Sequence, residues 1–450
     1  MSNIDPDKMV DQLTRPIRKT SAFYYVVVLA LLMAVCWGLF AWTCQLTRGL
    51  QVTGLNNSVA WGVYITNFVF FIGISHAGTL ISAILRVSGA EWRRPITRAA
   101  EAITVFALVL GASQILFDLG RPDRALNVIL YGPLRSPLLW DVVCISVYLL
   151  SSIFYLLLPL IPDVAILRDQ RLVLGWRKEL YRILSFGWDG NPEQKRRLEK
   201  TIGIMAVLII PIAVSVHTVV SWIFGMTIRP MWHSTILGPY FVVGAIFSGI
   251  AAIIIAMAVL RKVYHFEGYL KPIHFNYLGL LLLTMTALWF YFTLAEYLTI
   301  GYGALPEEWH VFEAKVAGEF ALMFWIMVGS MTVAFFLLLF CRSKWPIGGT
   351  VAASLFIVVG MWIERYTIVV PTLVKLTGRG YPPGMYYPSW VEWSITGGSI
   401  AGFILLYVLF VKLFPIISIW EVEESEEAVV EKLANMKRYF PCVSSAPTES

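Results

Sequence analysis

The feature that most constrains this chain is a series of about ten apolar stretches, each long enough to cross a lipid bilayer. Each holds roughly 20 or more mostly apolar residues, which in a helix cover a hydrocarbon core about 30 Å thick. Backbone groups in lipid must satisfy their own hydrogen bonds, so helices are predicted rather than strands. The predicted spans are 22–45, 59–85, 99–117, 138–160, 201–225, 237–260, 274–300, 313–340, 347–371 and 393–414.

The composition agrees with an all-α integral membrane protein. Hydrophobic residues make up 58% of the chain and charged residues only 14%, and the mean hydropathy is +0.70. Half of the net charge of +6 lies in the connection 161–200, which holds nine Lys and Arg and six Asp and Glu. Membrane topology and anionic lipid account for a basic connection of this kind, so no nucleic-acid partner is expected.

The connections between the spans differ in their content of Lys and Arg. If the N-terminus is cytoplasmic, the inner segments hold 26 of these residues and the outer segments hold seven. Positive residues accumulate on the cytoplasmic side, so both termini are predicted to be cytoplasmic. The first apolar run lacks a small-residue cleavage site at its end and is interpreted as a retained helix.

The cysteines do not form a recognisable site. None of the five has metal-ligand or disulfide-framework spacing with another, so we expect no metal site made by this chain alone. They are Cys36, Cys44, Cys144, Cys341 and Cys442.

Two carboxylates flank one predicted outer loop. Asp118 ends the third span and Asp141 begins the fourth. The Gly120-Arg121-Pro122 sequence interrupts the helix, so the loop is predicted to bring Asp141 close to Asp118. Paired carboxylates at a dry interface can bind a ligand hydroxyl and take its proton. The structural alternative is an ion pair of Asp118 with a loop arginine that only closes the loop.

Further polar residues lie deeper in the predicted spans. His76, Gln114 and His217 could extend a proton path inward, and Glu296 and Glu319 could form a second path. The histidines could equally be packing residues, and the two glutamates could simply lie at the interface. The neighbours Glu364 and Arg365 face different directions on one helix, so each is expected to pair with other helices.

Quinols suit the carboxylates at the outer boundary. A quinol offers two hydroxyls and gives up two protons and two electrons, and its head group reaches the membrane boundary. The sequence shows no redox centre of its own, so the electron acceptor would belong to a partner.

Four segments resemble the polysulfide-reductase NrfD family. They are 54–67, 75–82 (Ser-His-Ala-Gly-Thr-Leu-Ile-Ser), 117–124 (Phe-Asp-Leu-Gly-Arg-Pro-Asp-Arg) and 135–141 (Arg-Ser-Pro-Leu-Leu-Trp-Asp). The chain looks most like the ten-helix branch, which includes the ActC-type subunit of alternative complex III and the Qrc-type membrane subunit. ActC-type relatives often carry His where this chain has Asp118, whereas other branches carry Asp-Leu-Gly-Arg-Pro-Asp as here.

The resemblance implies two four-helix bundles flanked by the first and last helices. The implied divisions are 1–58 (N-tail, first helix and outer loop), 59–225 (first bundle), 226–371 (second bundle) and 372–450 (outer loop, last helix and tail). It implies a quinone site at the outer face of the first bundle, with Asp118 and Asp141 exchanging protons. The residues implied to bind the quinone are Asp118, Arg121, Asp123, Arg124, Asp141, Trp61 and Tyr64.

The resemblance also implies a location, a cofactor and partner subunits. The chain would be a subunit of a periplasm-facing respiratory or photosynthetic complex in the bacterial inner membrane. Its cofactor would be menaquinone or ubiquinone, with no covalently bound group, and iron–sulfur clusters or haem would lie only in partner subunits. The partners would be a peripheral iron–sulfur subunit, a multihaem cytochrome, molybdopterin-like subunits, other membrane subunits and lipid.

Three other classes of protein remain open from the sequence. A proton-coupled secondary transporter would also contain two bundles and buried carboxylates, but it would place them at the midplane. A b-type cytochrome would need facing histidines, whereas His76 and His217 are predicted to lie at different depths. A purely structural anchor for peripheral subunits is the third.

Overall fold

The computed structural model describes residues 6–169, 175–227, 229–375 and 384–424 of the 450. Every regular element in these ranges is helical, which confirms the predicted all-α class. The helices are α1 (Pro6–Arg18), α2 (Ala22–Arg48), α3 (Val63–Val87), α4 (Thr97–Asp118), α5 (Asn127–Leu130), α6 (Pro137–Asp169), α7 (Trp176–Leu184), α8 (Pro192–Gly225), α9 (Leu237–Val263), α10 (Pro272–Gly303), α11 (Pro306–Val316), α12 (Ala321–Phe336), α13 (Arg342–Lys344), α14 (Pro346–Val374) and α15 (Trp390–Leu413). Short 3₁₀ turns at Leu50–Val52, Glu91–Arg93 and Pro122–Arg124 and a π-helical turn at Leu337–Cys341 complete them.

Ten helices in the described ranges are long and apolar enough to cross a membrane. Their number agrees with the ten predicted spans, and the chain is a multi-pass integral membrane protein. They are α2, α3, α4, α6, α8, α9, α10, α12 with its π-helical turn, α14 and α15.

Local sequence sets where these helices begin. Several start at a proline, whose fixed φ suits the first helical position and whose missing N–H is not needed there. Ser21 caps α2 by accepting a hydrogen bond from the Tyr24 amide. Ser389 and Glu392 form a capping box at the start of α15, so its entry angle is fixed by two reciprocal hydrogen bonds.

Helix α3 lies at the centre of the molecule. In its most apolar 18-residue window 87% of residues are buried, against 6% in α2. It packs against α4, α8, α9 and α14, while α4 and α8 also contact α6. Helices α10 and α12 pack on α14, and α2 pairs with α15 beside α4. The division into two bundles at the implied boundaries stays a prediction, and residues 376–383 and 425–450 of its last segment lie outside the described residues.

Three predicted span boundaries are wrong. The eighth span begins at Ala321 rather than 313, because α11 ends at Val316 and the chain turns at Gly318, whose amide bonds back to the Glu313 carbonyl. Helices α6 and α8 extend to Asp169 and back to Pro192, well beyond the predicted 138–160 and 201–225. Polar residues can continue a helix past the apolar segment, so hydropathy underestimates its length.

The two ends of the helix assembly differ in charge. We call the end that carries Asp118, Asp141 and Glu392 the carboxylate end. The opposite end carries Arg86 and Arg98, and we call it the arginine end. The short helices α1 and α7 pack at the arginine end, where they share an apolar cluster with α6.

Candidate functional site

Asp118 is the last residue of α4, at the carboxylate end. The helix stops there because Leu119 turns to an extended conformation ahead of Gly120. The Asp118 Oδ1 atom is buried and has no hydrogen-bond partner within the described part of the chain. Beside it, the Gln45 amide donates to the Phe117 carbonyl at 2.6 Å and accepts from the Tyr64 hydroxyl at 2.7 Å. These contacts from α2 and α3 hold the end of α4 in place.

Asp141 lies in the first turn of α6 and is 4% exposed. Its Oδ1 atom is also buried without a hydrogen-bond partner. An unpartnered buried acceptor costs about 1–3 kcal/mol, so a ligand hydroxyl would gain a hydrogen bond at either aspartate. Within the described residues neither Oδ1 atom is hydrogen-bonded to the other aspartate or to any other group, and the cooperation of Asp118 and Asp141 in one site stays a prediction.

Glu392 is a buried carboxylate that the sequence did not assign to the site. It accepts hydrogen bonds from the Gly54 amide at 2.7 Å, the Tyr386 hydroxyl at 2.5 Å and the Ser389 amide at 2.8 Å. Burial first, and the Glu392 charge second, raise the pKa of Tyr386, so its hydroxyl stays a donor. Glu392 also lies within electrostatic range of Asp118. Glu392 therefore ties the loop before α3 to the loop before α15.

The loop residues implied to bind quinone are on the surface. Arg121 and Asp123 are exposed and pair with each other, with Nη2 2.9 Å from Oδ2. The hydrogen bond from Arg121 lowers the pKa of Asp123. Arg124 is exposed as well. These three side chains are therefore exposed, whereas the Oδ1 atoms of Asp118 and Asp141 are buried.

Trp61 and Tyr64 take different positions beside the site. Trp61 is half-buried and stacks on Trp232 with ring centroids 6.0 Å apart. Phe224 meets both indoles edge-on, and the Trp232 N–H donates to the Ile368 carbonyl at 2.8 Å. Tyr64 is fully buried and points to Gln45 instead. Trp61 thus belongs to an aromatic cluster, and Tyr64 to the hydrogen bonds around Asp118.

A chain of buried amides and hydroxyls continues inward from the carboxylate end. The Asn67 amide donates to Thr396 at 2.8 Å and accepts from the Trp362 N–H at 2.9 Å. Gln114 donates to Ser399 at 2.9 Å. The sequence predicted Gln114 as a buried polar residue. The roles of Asn67, Thr396 and Ser399 could be identified only from the packing of α3, α4 and α15.

His76 and His217 are in contact near the middle of the helices. Their ring centroids are 4.0 Å apart, so the prediction that they lie at different depths is wrong. Rings this close cannot bind one iron from opposite sides, as a haem would need. Both nitrogens of His76 face backbone carbonyls, of Ile72 at 3.0 Å and of Ala213. Both nitrogens of His217 are buried without a partner.

Glu364 and Arg365 form a buried ion pair beside this histidine pair. The Arg365 Nη1 atom lies 3.0 Å from Glu364 Oε2, so the expectation that the two turn away from each other is wrong. Glu364 also accepts from the Trp289 N–H at 2.6 Å. The Arg365 guanidinium lies over the Phe241 ring at 4.9 Å and within electrostatic range of His217. Long side chains allow adjacent helical residues to meet.

The two glutamates of the second predicted path are in different environments. Glu296 is 6% exposed and accepts from the Ser234 hydroxyl at 2.7 Å. Near it, burial lowers the pKa of Lys315 to about 8, although the Glu296 charge opposes this shift. Glu319 lies in the turn before α12, 46% exposed, and pairs with Lys375 at 2.9 Å. Only Glu296 therefore lies inside the helix assembly.

The fold and the site define a polytopic integral membrane protein whose helices enclose carboxyl groups at one end and a histidine pair at the centre. The chain matches the family described as Polysulphide reductase, NrfD over residues 51–377, and it belongs to that family. This confirms the resemblance to the family seen in the four sequence segments.

Three relatives extend the comparison. The chain is 26% identical to a selenate reductase subunit of Mesobacillus selenatarsenatis, over 87% of this chain and 94% of that protein. It is 24% identical to the Hdr-like menaquinol oxidoreductase integral membrane subunit of Archaeoglobus fulgidus, over 92% and 98% respectively. It is 31% identical to a predicted dimethyl sulfoxide reductase membrane subunit of Halobacterium salinarum, over 51% of this chain and about half of that relative (49%).

Proposed function

We propose that this chain is the quinone-binding membrane subunit of an oxidoreductase complex and exchanges electrons with an iron–sulfur partner subunit. The observation that carries the proposal is the pair of buried, unpartnered carboxyl oxygens, of Asp118 and Asp141, at one end of the helices. Membership of the NrfD family supports it, as does the menaquinol named for the Archaeoglobus relative.

The residues at the carboxylate end fit a quinol head group. A bound quinol supplies two protons and two electrons. Asp118 and Asp141 would each accept a hydroxyl hydrogen bond and then hold the proton, because both present an acceptor that the protein leaves unused. Gln45 and Tyr64 would fix the end of α4, so that the Asp118 carboxyl is presented without reorganisation.

Orientation completes this proposal. The excess of Lys and Arg in alternate connections supports cytoplasmic termini, which would place the carboxylate end on the periplasmic side of a bacterial inner membrane. The electron-transfer partner would then be a peripheral periplasmic subunit. Placement in the ActC-type or Qrc-type branch, with multihaem or molybdopterin partners, belongs to the same proposal.

The histidine pair would carry protons inward from the quinone site. A neutral imidazole can donate to only one of the two carbonyls that face His76, so a second proton on this ring would satisfy both. His217, in ring contact, has two unused nitrogens and could pass that proton on. Gln114 and Asn67 would connect the pair to the carboxylate end.

Substitution of Asp141 tests the proposal. Asp141→Asn keeps the volume but removes the proton-holding carboxylate, so we expect quinone-coupled turnover of the purified complex to fall by about 10²-fold or more. The matched control is Glu193→Gln, which alters an exposed carboxylate paired with Arg197. Size-exclusion profiles should show intact assembly for both variants. Unchanged turnover of Asp141→Asn would refute its role.

A further inference from the structure

A buried glutamate at the arginine end has no role in the quinone site. Glu101 lies on α4, one turn after Arg98, and is 4% exposed. Its Oε1 atom accepts a hydrogen bond from the Ser82 hydroxyl on α3 at 2.7 Å. Its Oε2 atom is buried and has no hydrogen-bond partner among the residues that the structure describes. A proton on Oε2 would therefore break no existing hydrogen bond.

The charged and titratable groups around Glu101 come from α3, α4, α6, the 3₁₀ turn at Glu91–Arg93 and the segment after α15. The Ser82 hydroxyl, which donates to Glu101, also lies 3.4 Å from the Tyr155 hydroxyl on α6. Glu101 and Tyr155 therefore share one hydrogen-bond donor. The groups that face Glu101 electrostatically are Arg86 of α3, Arg93 of the following 3₁₀ turn, Arg98 of α4, Tyr155 of α6 and Glu421 after α15.

The segment that follows α15 places a second carboxylate within electrostatic range of Glu101. Glu421 is 3% exposed and pairs with Arg86, and its Oε2 lies 3.5 Å from Arg93 Nη1. The same Oε2 lies 3.4 Å from the Thr97 hydroxyl, at the first residue of α4. Burial is the main cause that lowers the pKa of Arg93, and the Glu421 charge opposes it. The Glu421 carboxylate is thus held by Arg86 and Arg93 at the arginine end, near Glu101.

We propose that Glu101 is a proton-exchange group at the arginine end, and that Glu421 controls its access to water. The inference deepens the proposed function, because it supplies the end of the proton path opposite to the quinone site. When the ion pair of Glu421 with Arg86 opens, a proton would pass from the aqueous phase to the Glu101 carboxylate, which becomes a neutral carboxyl group.

The path from Glu101 towards the histidines follows α3 and α4. Thr104 lies about one turn further along α4 from Glu101, and its hydroxyl donates to the Ser75 carbonyl at 2.8 Å. The Tyr148 hydroxyl donates to the same carbonyl at 3.1 Å. Ser75 precedes His76, so hydrogen-bonded groups lie between Glu101 and His76. A purely structural Glu101 would only join α3 to α4 through Ser82.

Reaction with a lipophilic carbodiimide distinguishes these roles, because the reagent modifies protonated carboxyl groups in apolar surroundings. In the purified full complex, mass spectrometry should find Glu101 modified, with less modification as the pH is raised. Glu421→Gln should increase the rate about tenfold, which corresponds to about 1.4 kcal/mol in the free energy of opening. Glu91→Gln is the matched control, since Glu91 is an exposed partner of Arg94 at the same end.

A second measurement guards against a Glu421 variant that is misfolded. Infrared difference spectra across a pH titration should contain a protonated-carboxyl band in wild type that is absent in Glu101→Gln. An unmodified Glu101 at every pH, or equal rates in wild type and Glu421→Gln with no such band, would overturn the proposal. Neither readout uses quinone, so a failure of the Asp141 experiment would leave this test intact.

Discussion

The buried carboxylate of Asp163 should hold the segment after α15 onto the helix assembly. Asp163 is fully buried and accepts hydrogen bonds from the Ile419 and Trp420 amides, each at 3.0 Å. It also pairs with Arg98, which is 1% exposed and donates to the Pro159 carbonyl at 2.7 Å. One carboxylate thus neutralises a buried guanidinium and satisfies two backbone donors.

Replacing Asp163 with Ala should detach this segment at a high energetic cost. The change leaves the Arg98 charge buried and uncompensated, which costs about 3–5 kcal/mol. If the segment stayed in place, the Ile419 and Trp420 amides would each lack an acceptor, at a cost of about 1–3 kcal/mol per amide. When the segment detaches, both amides bond to water and this cost disappears. We therefore expect the detached population to rise by about two to three and a half orders of magnitude, at 1.4 kcal/mol per tenfold.

Hydrogen–deuterium exchange of the peptide containing Ile419 and Trp420 measures this population directly. Asp169→Ala, at the exposed end of the same helix, is the control and should leave exchange unchanged. Combining Arg98→Met with Asp163→Leu should recover only part of the protection, because no unpaired charge remains but the Ile419 and Trp420 amides still lack their acceptor. Equal exchange in wild type and Asp163→Ala would refute the assigned role of the carboxylate.

Three further predictions concern stability. Burial lowers the pKa of Lys315 to about 8, so between pH 8 and its ordinary value of 10.5 the unfolded chain binds more protons than the folded one. Thermal stability should therefore rise with pH in that window for wild type and not for Lys315→Met. A Cβ added at Gly244 would overlap Arg365 Nη2, whereas one added at Gly203 meets nothing within 4 Å. Gly244→Ala should thus cost about 1–3 kcal/mol by thermal unfolding and Gly203→Ala much less. Glu392→Gln weakens three charge-assisted hydrogen bonds and should cost about 1–3 kcal/mol, seen as faster limited proteolysis of the loop before α3.

Each of these predictions can fail in a distinct way. A melting temperature that falls in wild type as the pH is raised from 8 to 10 would contradict the buried ammonium of Lys315. Equal melting temperatures for the two glycine variants would contradict the close approach of α9 to Arg365. Unchanged proteolysis of Glu392→Gln would show that the loop is held by other contacts.

The sequence predicted the membrane helices well because each is encoded locally. A run of apolar residues needs no partner to be recognised, so the number and order of the ten spans followed from hydropathy. Helix ends were predicted less well, since α6 and α8 continue past their apolar segments and α12 begins after the turn at Gly318. Those ends depend on backbone hydrogen bonds and on polar residues outside the lipid.

The candidate site was only partly visible in the sequence. Asp118 and Asp141 were identified because carboxylates beside apolar spans are rare. Glu101 passed unnoticed, since near a helix start it resembles an ordinary interfacial charge, and its hydrogen bond from Ser82 and its proximity to Glu421 are set by the tertiary structure.

The sequence by itself determined that this is a ten-helix membrane protein of the NrfD family with acids at one end, because hydropathy and short motifs are properties of contiguous residues. Only the tertiary structure decided which polar groups meet. The contact of His76 with His217 and the ion pair of Glu364 with Arg365 depend on how helices pack and how side chains turn. No local pattern encodes these contacts, because in a bilayer a polar side chain takes whichever partner the neighbouring helix presents.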